Sequence, residues 1–178
     1  MKTQTHNIQK LVSSALCLAI AMVLPLLTGQ IPEIGQALSP MHIPVLLCGF
    51  VCGPMWGMAV GFVAPFLRYA VFGMPPMPMG IAMAFELCAY GLMTGILYKL
   101  LPKKTASIYI TLILSMIAGR IIWGIARFIM AGLTAGEFPF SAFIAGAVTT
   151  AIPGIILHIV LIPLLVMALK KAKLIFND

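Results

Sequence analysis

The chain has 178 residues, 62% of them hydrophobic and 8% charged, with a formal net charge of +7 from 11 basic and 4 acidic residues. Soluble domains carry about 25% charged residues and disorder requires low hydrophobicity, so both classes are excluded. Apolar runs recur along the whole chain at the roughly 20-residue length of a membrane span. An all-α integral membrane protein follows, and its positive charge bears on topology rather than on nucleic acid.

In chain order, Lys2 and Lys10 precede an apolar run from Leu11 to Thr28. Its length, and the lack of an A-x-A-like cleavage site after it, read as an uncleaved first helix and not a signal peptide. Further apolar segments fall at 42–73, 79–100, 106–133 and 139–169. The basic clusters Lys99, Lys103, Lys104 and Lys170, Lys171, Lys173 lie at or beyond the ends of these segments, as do Lys2 and Lys10. The positive-inside rule puts all three groups in the cytoplasm. An even number of crossings must then separate the N-terminus from Lys99. Segment 42–73 therefore supplies two crossings; as one helix it would run about 48 Å, generous for a single span. The break is expected at Gly53-Pro54, where glycine permits the turn and proline cannot continue a helix interior.

The predicted fold is a compact single-domain bundle of six transmembrane helices. They run at about 10–29, 42–53, 55–73, 79–100, 106–133 and 139–169, with both termini cytoplasmic. The outer connections are 30–41, a polar loop, then the rigid 74–78 stretch Met-Pro-Pro-Met-Pro, then 134–138. GFVCGP at 49–54 echoes GFVAP at 61–65, a local likeness that reflects helix-packing composition and not a duplicated half.

Ionisable side chains at membrane depth are costly and therefore mark function. Those in the apolar segments are Arg68, Glu86, Arg120, Arg127 and His158. Arg68, Glu86 and Arg127 fall within about two turns of the outer helix ends, and Arg120 lies near the middle, which suggests a cavity opening outward. Arg120, Trp123 and Arg127 share one helix face at i, i+3 and i+7. Two guanidiniums flanking an indole suit an anion with a flat or apolar body. Glu86 and Tyr90 share another face at i and i+4. An Arg near a membrane surface can also snorkel to headgroups, and Glu86 can serve only to neutralise an Arg. Three Arg against one Glu nevertheless leave about two positive charges, which an anionic ligand offsets. His158, between Pro153 and Pro163, reads as a hydrogen-bonded packing residue.

The four cysteines, Cys17, Cys48, Cys52 and Cys88, all sit in apolar runs and read as packing residues. The thirteen methionines read as gap fillers in the same way, so no metal site and no cofactor is expected. No GxSxG, HExxH or phosphate-binding loop occurs, so the chain is not expected to be an enzyme. In helix 1, Ala15 and Ala19 form a small-xxx-small face that lets another helix approach closely.

Six short helices, the Ala15-xxx-Ala19 face and a polar first outer loop together resemble a known family. So does Ser39-Pro-Met-His-Ile-Pro-Val-Leu-Leu-Cys-Gly-Phe-Val-Cys-Gly-Pro-Met-Trp-Gly running into Gly61-Phe-Val-Ala-Pro. The family is the substrate-binding S-component of energy-coupling-factor (ECF) vitamin transporters of the bacterial cell membrane, and the resemblance covers essentially the whole chain. It implies capture of a vitamin from outside, in a pocket between the outer helix halves. The implied partners are the bilayer, a membrane coupling protein and two cytoplasmic ATPases. Ala15 and Ala19 would be the docking face, and Gln30, Glu33 and Gln36 would lie on a capping loop. Arg68, Glu86, Tyr90, Arg120, Trp123 and Arg127 match the pocket depth.

The metal-ion branch of such systems is disfavoured, because its Met-His type N-terminus is replaced by Met1-Lys2-Thr3. The positive pocket disfavours thiamine and favours pantothenate, with folate, niacin, biotin and riboflavin as further candidates. Readings from other classes are a self-sufficient carrier or channel for a small organic anion, and a lipid-binding membrane protein.

Overall fold

The computed structural model describes residues 2–28, 31–133 and 139–177, with the side chains of all but 2–5, 28, 32, 33, 36, 147 and 148. Among the described residues every regular element is helical. Helix α1 (Lys2–Val23) continues into a 3-10 turn at Leu24–Thr28, followed by a short α2 (Pro32–Leu38). Then come α3 (His42–Cys52), α4 (Pro54–Phe72), α5 (Met77–Leu100) and α6 (Thr105–Leu133). A short α7 (Phe140–Ile144) runs through a π-helical turn, Ala145–Thr149, toward α8 (Ile152–Lys171).

Proline and glycine punctuate this path. Helices α2, α4, α5 and α8 each carry Pro in the first two positions, where the missing N–H has no intrahelical partner to lose. Gly53 joins α3 to α4 with φ 98°, a conformation open to glycine and strained for other residues. The turn falls where Gly53-Pro54 predicts it.

Two expectations are corrected. The first outer connection, 30–41, is not merely a loop, because Pro32 starts the helix α2 within it. The single helix predicted for 139–169 is broken: α7 gives way to the π turn, and α8 starts afresh with Pro153 in its first turn. Pro153 cannot donate the i to i−4 bond that a continuous helix needs.

Five described helical segments are long and apolar enough to cross a membrane: His6–Leu27, Pro54–Phe72, Met77–Leu100, Thr105–Leu133 and Ile152–Lys171. Helix α3 has 11 residues, about 16 Å of rise against a hydrocarbon core of about 30 Å. All its residues but Leu47 are buried. It is a central strut wrapped by the longer helices.

Contacts fix the direction of travel. His6 Nε2 donates to the Phe176 carbonyl at 3.2 Å, and the Phe176 N–H donates to Val51 O at 2.7 Å. Lys103 Nζ donates to Asn177 O at 3.0 Å, and Lys170 Nζ to Lys103 O at 2.6 Å. The start of α1, the α3–α4 turn, the α5–α6 connection and the end of α8 therefore share one end of the bundle, which is also the lysine-rich end. Asn177 Nδ2 seals it by donating to Gly49 O and Gly95 O at 3.2 and 3.0 Å.

Close backbone packing holds α3, α4 and α5 together. A Cβ on Gly57 would stand 2.7 Å from Gly91 O and 2.8 Å from Gly49 Cα. One on Gly91 would meet the Gly57 backbone, and one on Gly61 the Leu87 carbonyl. With lipid outside, helix association depends on such van der Waals approach. Gly91→Ala is therefore expected to destabilise the bundle by about 1–3 kcal/mol, read as a lower thermal midpoint in detergent. An unchanged midpoint would mean that the helices pack further apart.

Candidate functional site

At the end opposite the lysines, a cavity of about 300 Å³ opens between the helix ends. Pro25 after α1, Ile31 and Gly35 around α2, and Ser39 to His42 leading into α3 form one side. Arg68 of α4, Met83 and Glu86 of α5, and Arg120 and Trp123 of α6 form the floor and far wall. The Met74-Pro75-Pro76 turn and Met79 border it from a third direction, and Gly146 and Thr150 from the break between α7 and α8. The lining is mainly apolar with a few convergent polar groups, the usual make-up of a small-molecule site.

Glu86 is the centre of the polar floor. It is 2% exposed, carried on α5 among α3, α4 and α6, and reaches the cavity at its floor. Arg120 Nη1 lies 3.0 Å from its Oε1, and His42 Nε2 lies 3.4 Å from the same oxygen. Oε1 nevertheless accepts no well-formed hydrogen bond: Arg120 meets it as an ion pair, and the imidazole contact is long. Tyr90, one turn further on and buried, hydrogen-bonds the carboxylate from below. The Tyr90 ring packs edge-on against His42 at 5.2 Å. It leaves no room on α6 for anything larger than glycine, because a Cβ on Gly119 would collide with it.

Arg68 is held differently. Its side chain is 3% exposed, with Nη1 donating to the Met22 carbonyl of α1 at 2.6 Å and the guanidinium 5.0 Å above the Phe72 ring. Among the described side chains it has no acidic partner. A buried guanidinium keeps its charge, so the cavity carries a cation that the described protein does not neutralise.

Of the site residues predicted from sequence, Arg68, Glu86, Arg120 and Trp123 line the cavity, and Tyr90 supports it without lining it. Trp123 is set by α7 and the π turn: it stacks on Phe143 at 6.3 Å, and a Cβ on Gly146 would stand 2.6 Å from its ring edge. Arg127, one turn beyond Trp123, is half-buried and does not line the cavity. Gln30 lies outside the described residues, as do the side chains of Glu33 and Gln36, although Ile31 and Gly35 beside them line the cavity. Ala15 and Ala19 are exposed on the outer face of α1.

The residue that sequence reasoning passes over is His42. It begins its apolar segment and so reads as a boundary residue, yet it is 2% exposed. The chain before it turns at the left-handed Ser39, and Glu86 and Tyr90 of α5 and His158 of α8 close around its ring. The rule that singles out ionisable groups at membrane depth would have found it. His158 stacks on it at 6.0 Å and hydrogen-bonds the Ser39 backbone, so this second histidine supports the floor from α8.

A family description, ECF transporter, substrate-specific component, matches residues 9–166. Neither a curated protein nor a solved structure matches the chain. With the match extending over nearly the whole chain and several apolar spans in the fold, the chain belongs to the substrate-specific components of ECF transporters, multi-pass proteins of the bacterial cell membrane that bind a substrate for transport.

Proposed function

We propose that this subunit captures a small anionic vitamin for an ATP-driven importer and passes it inward with a membrane coupling protein and two cytoplasmic ATPases. The observation that carries this reading is Arg68: a buried cation on the cavity wall with no acidic partner among the described side chains. An anionic ligand offsets its charge where the apolar lining cannot. The lysine-rich end lies away from the cavity, and by the positive-inside rule it is the cytoplasmic end. That arrangement supports loading from outside.

A cavity of about 300 Å³ stands at the small end of the range for ligand sites. Pantothenate therefore remains the first choice, with biotin next; niacin is admitted by size alone. Folate and riboflavin fit less well. The exposed Ala15 and Ala19 support α1 as the face that meets the coupling protein.

Native mass spectrometry of the gently purified subunit tests the reading. One bound carboxylate of vitamin size is the expected result. A preparation carrying phospholipid alone, and taking up none of the added carboxylate vitamins, would count against it and favour a lipid-binding protein.

A further inference from the structure

The cavity holds two polar stations of different chemistry. Arg68 is a donor-only cation, bonded through Nη1 to Met22 O and stacked on Phe72. The second station is Glu86 with His42, both 2% exposed and both lining the cavity. Glu86 Oε1 and both ring nitrogens of His42 make no well-formed hydrogen bond. Arg120 at 3.0 Å compensates the charge of Glu86 without satisfying Oε1 as an acceptor.

An ionised carboxylate only accepts hydrogen bonds, whereas a neutral imidazole offers one donor and one acceptor. A ligand anion placed against Glu86 Oε1 would set acceptor against acceptor. A ligand lacking the anion would leave Arg68 without an acidic partner among the described side chains. A molecule with both groups answers Arg68 and Glu86 together.

Resting on the reading of this cavity as the binding site, we propose that the occupant is a carboxylate that also carries an N–H or O–H donor. Arg68 takes the carboxylate, and Glu86 with His42 takes the donor. Arg120 is then a positioning residue that holds Glu86 as an acceptor, and His42 is a specificity-determining one. Amide-, ureido- or hydroxyl-bearing acids are accepted. A carboxylate whose only other polar group is an acceptor is rejected, because Glu86 would be left facing it without a hydrogen bond.

The test is calorimetric titration of the full chain in nanodiscs of zwitterionic lipid, with pantothenate, biotin and nicotinate as probes. Pantothenate and biotin carry donors besides the carboxylate; nicotinate carries only a ring acceptor. The tighter of the first two is expected to exceed nicotinate by at least about tenfold, the scale on which a site built for hydrogen bonding rejects a ligand that cannot supply them. The primary alcohol of that same ligand is expected to bind at least about tenfold more weakly than the acid, the scale of one charge-assisted hydrogen bond. Arg68→Gln should erase that difference between acid and alcohol.

Nicotinate binding as tightly as the others, an alcohol as good as its acid, or Arg68→Gln weakening both equally would each overturn the assignment. The first two comparisons use the wild-type chain, so they decide the matter even where Arg68→Gln does not fold. Replacing the discs with phosphatidylglycerol should leave the affinities unchanged; abolished binding would mean that Arg68 holds a lipid headgroup instead. If none of the three carboxylates binds, the anionic-vitamin reading itself fails, an outcome separate from binding without this selectivity.

Discussion

Arg120→Ala is expected to weaken ligand binding by at least about tenfold, the scale of a lost charge-assisted interaction, and to destabilise the bundle as well. The two effects share one cause. Arg120 Nη1 is the nearest cation to Glu86 Oε1, at 3.0 Å, and Glu86, only 2% exposed, has too little contact with water for solvent to replace it. Breaking a buried pair by removing one partner costs about 3–5 kcal/mol, because the remaining charge is left uncompensated. That same charge would face an anionic ligand across the cavity and repel it.

A second substitution separates the two effects. Arg120→Ala with Glu86→Gln removes both charges and is expected to recover most of the lost stability. Binding should stay weak, since the floor no longer offers an ionised acceptor. Thermal unfolding and titration on the same preparations read the two quantities. If Arg120→Ala folds and binds as wild type does, Arg120 does not take part in the site.

Much of this arrangement is legible in the chain. The turn at Gly53-Pro54 follows from local backbone rules, and the length of the apolar runs marks the long helices. Arg68, Glu86 and Arg120 stand out because charge in an apolar run needs a reason. What the sequence hides is set by tertiary packing. Nothing local tells that Arg68 bonds to Met22 of α1 while Arg120 turns to Glu86. Both are arginines in apolar helices, and only the neighbours assign them different partners. His42 is concealed for a related reason: its burial comes from Glu86 and Tyr90 of α5 and His158 of α8, which lie far from it along the chain. The break before α8 was foreshadowed by Pro153, yet the hydrophobic run through it outweighs one proline in a sequence reading.

Ala15→Leu with Ala19→Leu is expected to abolish uptake in cells carrying the complete transporter while leaving ligand affinity within about twofold of wild type. The prediction depends on the two faces of α1 doing different things. Ser14 and Ala21 are buried, and Cys17 and Leu18 pack against the core, so that side of the helix holds α1 in the bundle. Ala15 and Ala19 are exposed on the other side, within an apolar stripe of Leu11, Leu16, Ile20 and Val23. Larger side chains there meet nothing inside this chain, so the fold and the cavity should not change. They would hold a partner helix away, and in a bilayer close approach of small residues is what drives helix pairing. Titration of the purified double variant and an uptake assay give the two readings. Normal uptake would remove this face from docking. Loss of ligand binding together with uptake would mean that Ala15 and Ala19 pack within the subunit itself.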